Sequence, residues 1–376
     1  MRAWVGSLGL VAACAGAAPA PAPPAPADSV ETAVFLIGDG GNPDPAGEPV
    51  LQALRAALGN APGERVVVFL GDNIYPKGLP DSAAPERAEM ERRIDAQLDA
   101  IRLPGVRGIV IPGNHDWDKH GRDGWNAIRR QAAEVARHSE GQAVLLPAGG
   151  CPGPTVVDVG RRLRIVTLDT QWWLHGGPKP EGEGSGCRAA TPAAVRDSLR
   201  ADLAGAGDRQ VLVVAHHPLA SGGEHGGYVS LEDQLFPLRR FAGWLFLPLP
   251  GLGSLQPLAR GLGVSNQDIA GSQNRRMREA MAAAMAEHPP LAWADGHDHN
   301  LQVLDGRGEG PRHLLVSGAG FFGHGSAVTT LVGTRFKSRD AGFMRLDVTA
   351  AGRVRLGVLT VDRRGGARER YAAWLE

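Results

Sequence analysis

The chain keeps returning to one local pattern, a short run of β-branched or apolar residues that stops on glycine and a cluster of polar side chains, followed by a stretch with helical spacing. A short apolar run bounded in this way fits a strand buried on both faces, and strands alternating with helices assemble as a parallel or mixed sheet. Ala33–Ile37, Val66–Leu70, Gly108–Ile111, Leu163–Leu168 and Val211–Val214 read as such strands. Helices are predicted at Pro49–Leu58, Pro85–Arg102, Gly124–His138 and Thr191–Leu203, the last opening on Thr191-Pro192 as N-cap and first-turn proline. Strands resume near Leu291–Ala294, Arg312–Val316, Gly342–Val348 and Arg353–Val361 without helices between them, which predicts a second, more antiparallel sheet packed on the first. The expected class is α/β (α+β), with two packed mixed β-sheets flanked by helices.

Charge excludes one class of function. The 376 residues carry 40 Lys+Arg against 40 Asp+Glu, so no excess charge recommends nucleic acid or an acidic surface as a partner. With 52 Gly and 28 Pro, the chain is loop-rich rather than a helical bundle, and one large domain over residues 32–376 is expected. Residues 1–14 read as a signal peptide: Arg2 precedes an apolar stretch too short to span a bilayer. Val11-Ala12-Ala13-Cys14 has the form of a lipobox, which predicts a lipid-anchored protein; the other reading is ordinary cleavage after Ala, with Cys14 incidental. Residues 15–31 alternate Ala and Pro and read as a semi-extended spacer holding the domain off a membrane. In the periplasm or at the cell surface, Cys151 and Cys187, both in loop sequence, are expected to form a disulfide.

Five strand runs end in polar residues of one chemical type: Gly38-Asp39-Gly40-Gly41, Gly71-Asp72-Asn73-Ile74-Tyr75, Gly113-Asn114-His115-Asp116, Ala215-His216-His217-Pro218 and Gly296-His297-Asp298-His299-Asn300. Loops beyond the carboxyl ends of sheet strands converge on one crevice, so residues far apart in sequence meet there. Asp, Asn, His and Tyr offer oxygen and nitrogen donors without a thiolate, which suits hard or borderline metals. One such cluster is an ordinary turn; five in a row, each just after an apolar run, point to a metal centre.

The order G-D-x-G, G-D-x-x-Y, G-N-H-D, H-x-P and G-H-x-H resembles the calcineurin-like metallophosphoesterases, and the Tyr narrows the resemblance to the purple acid phosphatases. Gly71–Tyr75, Gly296–Gln302 and Ser317-Gly318-Ala319-Gly320 are most similar to the small tartrate-resistant type, and the likeness runs from about Ala33 to Val361. It implies the four-layer sandwich of that family and a binuclear centre. Asp39, Asp72, Tyr75 and His299 would hold Fe³⁺, which a phenolate favours. Asp72, Asn114, His216 and His297 would hold Fe²⁺, Zn²⁺ or Mn²⁺, with Asp72 bridging. The implied activity is hydrolysis of phosphate monoesters by a metal-activated water, with His225 as general acid and His115 bonding the transferring phosphoryl group. Asp116 and Asp298 are read as bracing residues, and His217 as a pocket-lining one.

The departure from the compact relatives is an insertion at about 226–273, which starts directly after His225. Its apolar part, Phe241–Leu258, is broken by Pro and Gly and is no membrane span. It is a self-packed excursion, a lid or a membrane-facing patch. The expected partner is a small phosphorylated substrate, with nucleic acid excluded except as a nucleotide substrate, and a membrane contact through Cys14. A phosphodiesterase or nucleotidase on the same metals, or a non-catalytic phosphate-binding surface lipoprotein, are the alternatives.

Overall fold

A computed structural model describes residues 22–26, 29–228, 262–308 and 310–376, with single positions 235, 247, 258 and 260 between them. The proposed signal peptide and lipobox, and the apolar part of the insertion apart from the exposed Leu247 and Leu258, lie outside the described residues. Among the described residues no helix is long and apolar enough to cross a membrane.

Two seven-stranded mixed sheets pack face to face. The first runs β14 (Ala367–Leu375), β13 (Val354–Val361), β12 (Gly342–Thr349), β1 (Val30–Ile37), β2 (Glu64–Phe69), β3 (Val106–Val110), β4 (Ala143–Leu145). The second runs β11 (Thr334–Ser338), β9 (Leu301–Asp305), β10 (His313–Ser317), β8 (Ala292–Asp295), β7 (Gln210–Val214), β6 (Leu163–Thr167), β5 (Thr155–Val159). Strands β1 to β4 are mutually parallel, as are β6, β7, β8 and β10.

Alternation within each strand builds the layers. On β1, Val34 and Leu36 join Val66, Val68, Ile165, Leu212 and Leu315 in the core between the sheets. Phe35 and Ile37 face outward, onto α1 (Pro49–Gly59), α2 (Arg87–Ala100) and α3 (Gly124–His138). The short α4 (Thr170–Leu174) follows β6. On the far side, α5 (Pro192–Ala204) and α6 (Ser272–Met285) cover the second sheet through Val195, Leu199, Met277 and Met281. The expected cap is present: the Thr191 hydroxyl accepts from the Ala194 N–H at 3.2 Å, with Pro192 opening α5.

The four-layer sandwich stands, but the late strands do not form the second sheet together. Strands β12, β13 and β14 extend the first sheet because β12 pairs antiparallel with the free edge of β1. Strands β8 to β11 instead complete the sheet begun by β6 and β7. Two residues of the Ala/Pro segment bond to the domain. Ala22 N–H donates to the Ala372 carbonyl of β14, and the Arg355 guanidinium holds the carbonyls of Ala22 and Pro23.

Cys151 and Cys187 form the expected disulfide, closing a loop of 36 residues that ties the start of β5 to the approach to α5. The chain-entropy relation gives a loop of this size roughly 4 kcal/mol. Reduction should therefore lower the thermal midpoint by several degrees. Metal content should not change, because neither cysteine neighbours the polar strand ends. Unaltered melting after reduction, with free thiols verified by mass spectrometry, would show that the crosslink contributes nothing.

Candidate metal centre

The five polar clusters meet where the carboxyl ends of β1, β2 and β3 in one sheet face those of β7 and β8 in the other. Asp39, Asp72 and His297 all adopt left-handed backbone conformations, with φ of 58°, 52° and 67°. Such conformations cost of order 1 kcal/mol or more each and persist where surrounding structure imposes them. The glycines before the polar residues allow the close approach. A Cβ at Gly71 would lie 2.5 Å from His216 Nδ1, and one at Gly113 would lie 2.3 Å from Asp72 Oδ1.

Two groups of donors result. In the first, Tyr75 Oη lies 3.2 Å from Asp39 Oδ1 and 3.1 Å from His299 Nε2, and His299 Nε2 lies 3.5 Å from Asp39 Oδ1. In the second, Asn114 Oδ1 lies 3.1 Å from His216 Nε2 and 3.0 Å from His297 Nδ1, and these two ring nitrogens are 3.2 Å apart. Asp72 joins them: its Oδ1 is 3.5 Å from His216 Nε2, and ligand atoms of Asp39, Asp72 and His216 all lie within 4.8 Å of one another.

The hydrogen bonds behind the histidines decide what their front nitrogens are. His216 Nδ1 donates to the Leu70 carbonyl at 2.9 Å, and His297 Nε2 donates to the Gln267 carbonyl at 3.0 Å. In the neutral rings, the remaining nitrogens are lone pairs pointing at each other, a repulsive arrangement that a cation resolves. Burial, reinforced by His225, His217 and His216, holds His297 well below the ordinary imidazole range and so keeps it neutral. Burial and the carboxylates of Asp39 and Asp72 push the Tyr75 phenol well up. Only a strongly charged cation at Oη would leave it ionised. The donor set thus fits two cations, the first bound by a phenolate, a carboxylate and an imidazole, the second by an amide oxygen and two imidazoles.

The neighbouring residues sort by their contacts. Asp116 accepts from the N–H groups of Gly113, Asn73 and Ile74 and from the Asn73 amide, bracing two of the strand-end loops. Burial and the Asp72 charge push its carboxyl up to about 7. Asp298 accepts from the His225 N–H at 3.0 Å. His217 does not line the cavity. It is fully buried, with Nδ1 on the Thr170 hydroxyl and Nε2 on the Gln267 side chain, both at 2.8 Å, so neither ring nitrogen is left for a ligand.

His115 and His225 both border an open cavity of about 530 Å³ that also exposes Asp72, Asn114, His297 and His299. His115 donates from Nδ1 to the Pro76 carbonyl at 2.8 Å, which turns Nε2 to within 3.8 Å of Asp72 Oδ2. His225 stacks on His297 with ring centroids 3.7 Å apart, and its Nδ1 lies 2.8 Å from Asp268 Oδ1.

The sequence patterns did not reveal several residues of the site. Arg260, Gln267 and Asp268 come from the insertion, whose returning arm lines the cavity. His324 packs against the first donor group. It lies 3.8 Å from His299 and 4.5 Å from Phe321 by ring centroids, and burial with His299 and His115 pushes it down to about 3. None of these residues falls in one of the five strand-end motifs.

The calcineurin-like phosphoesterase family model matches residues 34–245. Three solved structures share the fold. GAP50, described as the anchor in the inner membrane complex of Plasmodium, has a TM-score of 0.54 and 15% identity, covering 92% of this chain and 89% of that one. The purple acid phosphatase PPD1 from yellow lupin (Lupinus luteus) seeds has a TM-score of 0.52 and 14% identity, covering 93% of this chain but 55% of the lupin protein. PhoD has a TM-score of 0.51 and 12% identity, covering 93% and 70%. At these identities the likeness is one of fold. Comparison with curated proteins by sequence gives no match.

Proposed function

The chain belongs to the calcineurin-like phosphoesterase family, and from that premise we propose that it is an exported acid phosphatase acting on small phosphate monoesters. The observation carrying this reading is the meeting of two cation-ready donor groups at Asp72, under a cavity flanked by His115 and His225. In this reading Asp39, Asp72, Tyr75 and His299 hold Fe³⁺, while Asp72, Asn114, His216 and His297 hold Fe²⁺, Zn²⁺ or Mn²⁺. When bound, the pair supplies a water nucleophile of lowered pKa and neutralises phosphate charge.

The protein's own groups do the rest. Leu70 and Gln267 carbonyls fix the tautomers of His216 and His297. His115, its Nδ1 spent on Pro76, presents Nε2 to a phosphoryl oxygen. His225, its Nδ1 spent on Asp268, delivers a proton from Nε2 to the departing alkoxide. Export is supported by the apolar N-terminal segment and by the Cys151–Cys187 disulfide, and we place the lipid anchor at Cys14.

Purified protein should carry two metal ions per chain, show a broad visible band from the Tyr75 phenolate on Fe³⁺, and hydrolyse p-nitrophenyl phosphate in preference to its bis ester. Tyr75→Phe should remove the band while the far-UV spectrum is retained. A band that survives Tyr75→Phe assigns the chromophore wrongly. Preference for the bis ester makes the protein a phosphodiesterase, and inertness of the metal-loaded protein toward both esters makes it a phosphate-binding module.

A further inference from the structure

The arm of the insertion that returns to the cavity makes contacts that a self-packed excursion would not. The Ile269 N–H donates to the His225 carbonyl at 2.9 Å, the Gln267 carbonyl takes the Nε2 proton of His297, and Asp268 lies against His225 Nδ1. Asp268 is itself almost fully buried. A second tie comes from Arg260, whose Nη1 is 3.4 Å from Asp268 Oδ1 and whose Nη2 is 3.8 Å from Glu224 Oε2, one residue before His225. The His225 backbone is fixed separately, by its N–H on Asp298.

We propose that Asp268 is the positioning residue for His225, so that the insertion supplies part of the proton-delivery apparatus and does more than cover it. This rests on the assignment of His225 as general acid. A carboxylate accepting from Nδ1–H holds the proton that is not used in the reaction and directs Nε2 away from the arm. The Arg260 guanidinium lies beside this carboxylate, and its positive charge offsets that of Asp268 at the cavity wall. As the water oxygen bonds to phosphorus, the P–O bond to the leaving group breaks and leaves its electron pair on the departing oxygen, where the O–H bond forms as the Nε2–H bond of His225 breaks. The Nδ1–H remains on His225 throughout, bonded to Asp268.

The test compares hydrolysis of n-propyl phosphate, whose alkoxide needs a proton, with that of p-nitrophenyl phosphate, whose phenolate leaves without one. Asp268→Ala should lower kcat on the propyl ester by about 10-fold to 10²-fold more than on the aryl ester, below the limit set by complete loss of a general acid. Asp268→Glu should recover part of the difference. In a His225→Ala background, Asp268→Ala should have little further effect on either substrate, because the two residues act as one unit. Metal content should stay at the wild-type value in each variant.

If His225→Ala shows the leaving-group bias and Asp268→Ala does not, the positioning role is overturned while the general-acid assignment stands. If the losses of the two single variants add fully in the double variant, Asp268 acts through the fold and the proposal is again overturned. If His225→Ala shows no bias, the general acid is wrongly assigned, and the role of Asp268 falls with it.

Discussion

Replacing Asp72 with Asn should lower phosphatase activity by about 10³-fold or more, the scale of losing a preorganised electrostatic group and with it the cations that it joins. The same change should also lower the urea midpoint of the chelator-treated protein, because the fold favours the charged Asp72: burial opposes the charge, but His216, His115 and the His115 N–H together hold the carboxyl below its ordinary range. Asp72 is 1% exposed and lies near two further buried carboxylates, Asp39 and Asp116. Burial, with the Asp72 charge second, pushes the Asp116 carboxyl up to about 7, a repulsion that offsets only part of this gain. A neutral amide relieves that repulsion but gives up the attraction of His216 and His115, while its oxygen can still accept from the His115 N–H that now donates to Asp72 Oδ1 at 2.8 Å. Function and metal-free stability therefore fall together, and function falls further because it also loses the cations that Asp72 would join. The checks are kcat/KM on p-nitrophenyl phosphate, metal per chain, and the urea midpoint after chelation. Two retained metal ions with activity within tenfold of wild type would remove Asp72 from the shared position.

The candidate centre was legible because its residues sit where strands must end. A buried strand announces itself as an apolar run, and the glycines that follow are required wherever a Cβ would strike a neighbouring donor, as at Gly71 and Gly113. The pairing of the late strands was not legible in this way. Strand β12 finds its partner β1 some three hundred residues earlier in the chain, and nothing local in Gly342–Thr349 distinguishes that edge from the edge of the other sheet. Strand β14, Ala367–Leu375, starts with alternating Arg and Glu at a sheet edge, so it shows no apolar run to read. Helix α6 did carry a signal, in Met277, Met281 and Met285, which recur every fourth residue and are all buried. Gln267 and Asp268 carried none. They lie in irregular chain of the insertion, and only the tertiary path of that arm brings them to His297 and His225.

The second large effect belongs to His225. With His225→Ala, kcat on an alkyl phosphate should fall by about 10²–10⁴-fold, the usual loss when a general acid is removed, and on p-nitrophenyl phosphate much less. The difference arises at the leaving group, since an alkoxide must be protonated as it departs and p-nitrophenolate need not be. The structure separates this role from metal binding. His225 reaches the centre by stacking on His297, while its Nδ1 is taken by Asp268 at 2.8 Å, and the His297 nitrogen facing the second cation is the one away from the Gln267 carbonyl. Removing the imidazole leaves every proposed donor in place, and Asp268 keeps Arg260 as its counter-charge, so no lone buried carboxylate results. Metal content and the visible band should therefore match wild type while the two substrates diverge. Equal losses on both esters would make His225 a binding residue, and loss of a metal ion would place it among the ligands.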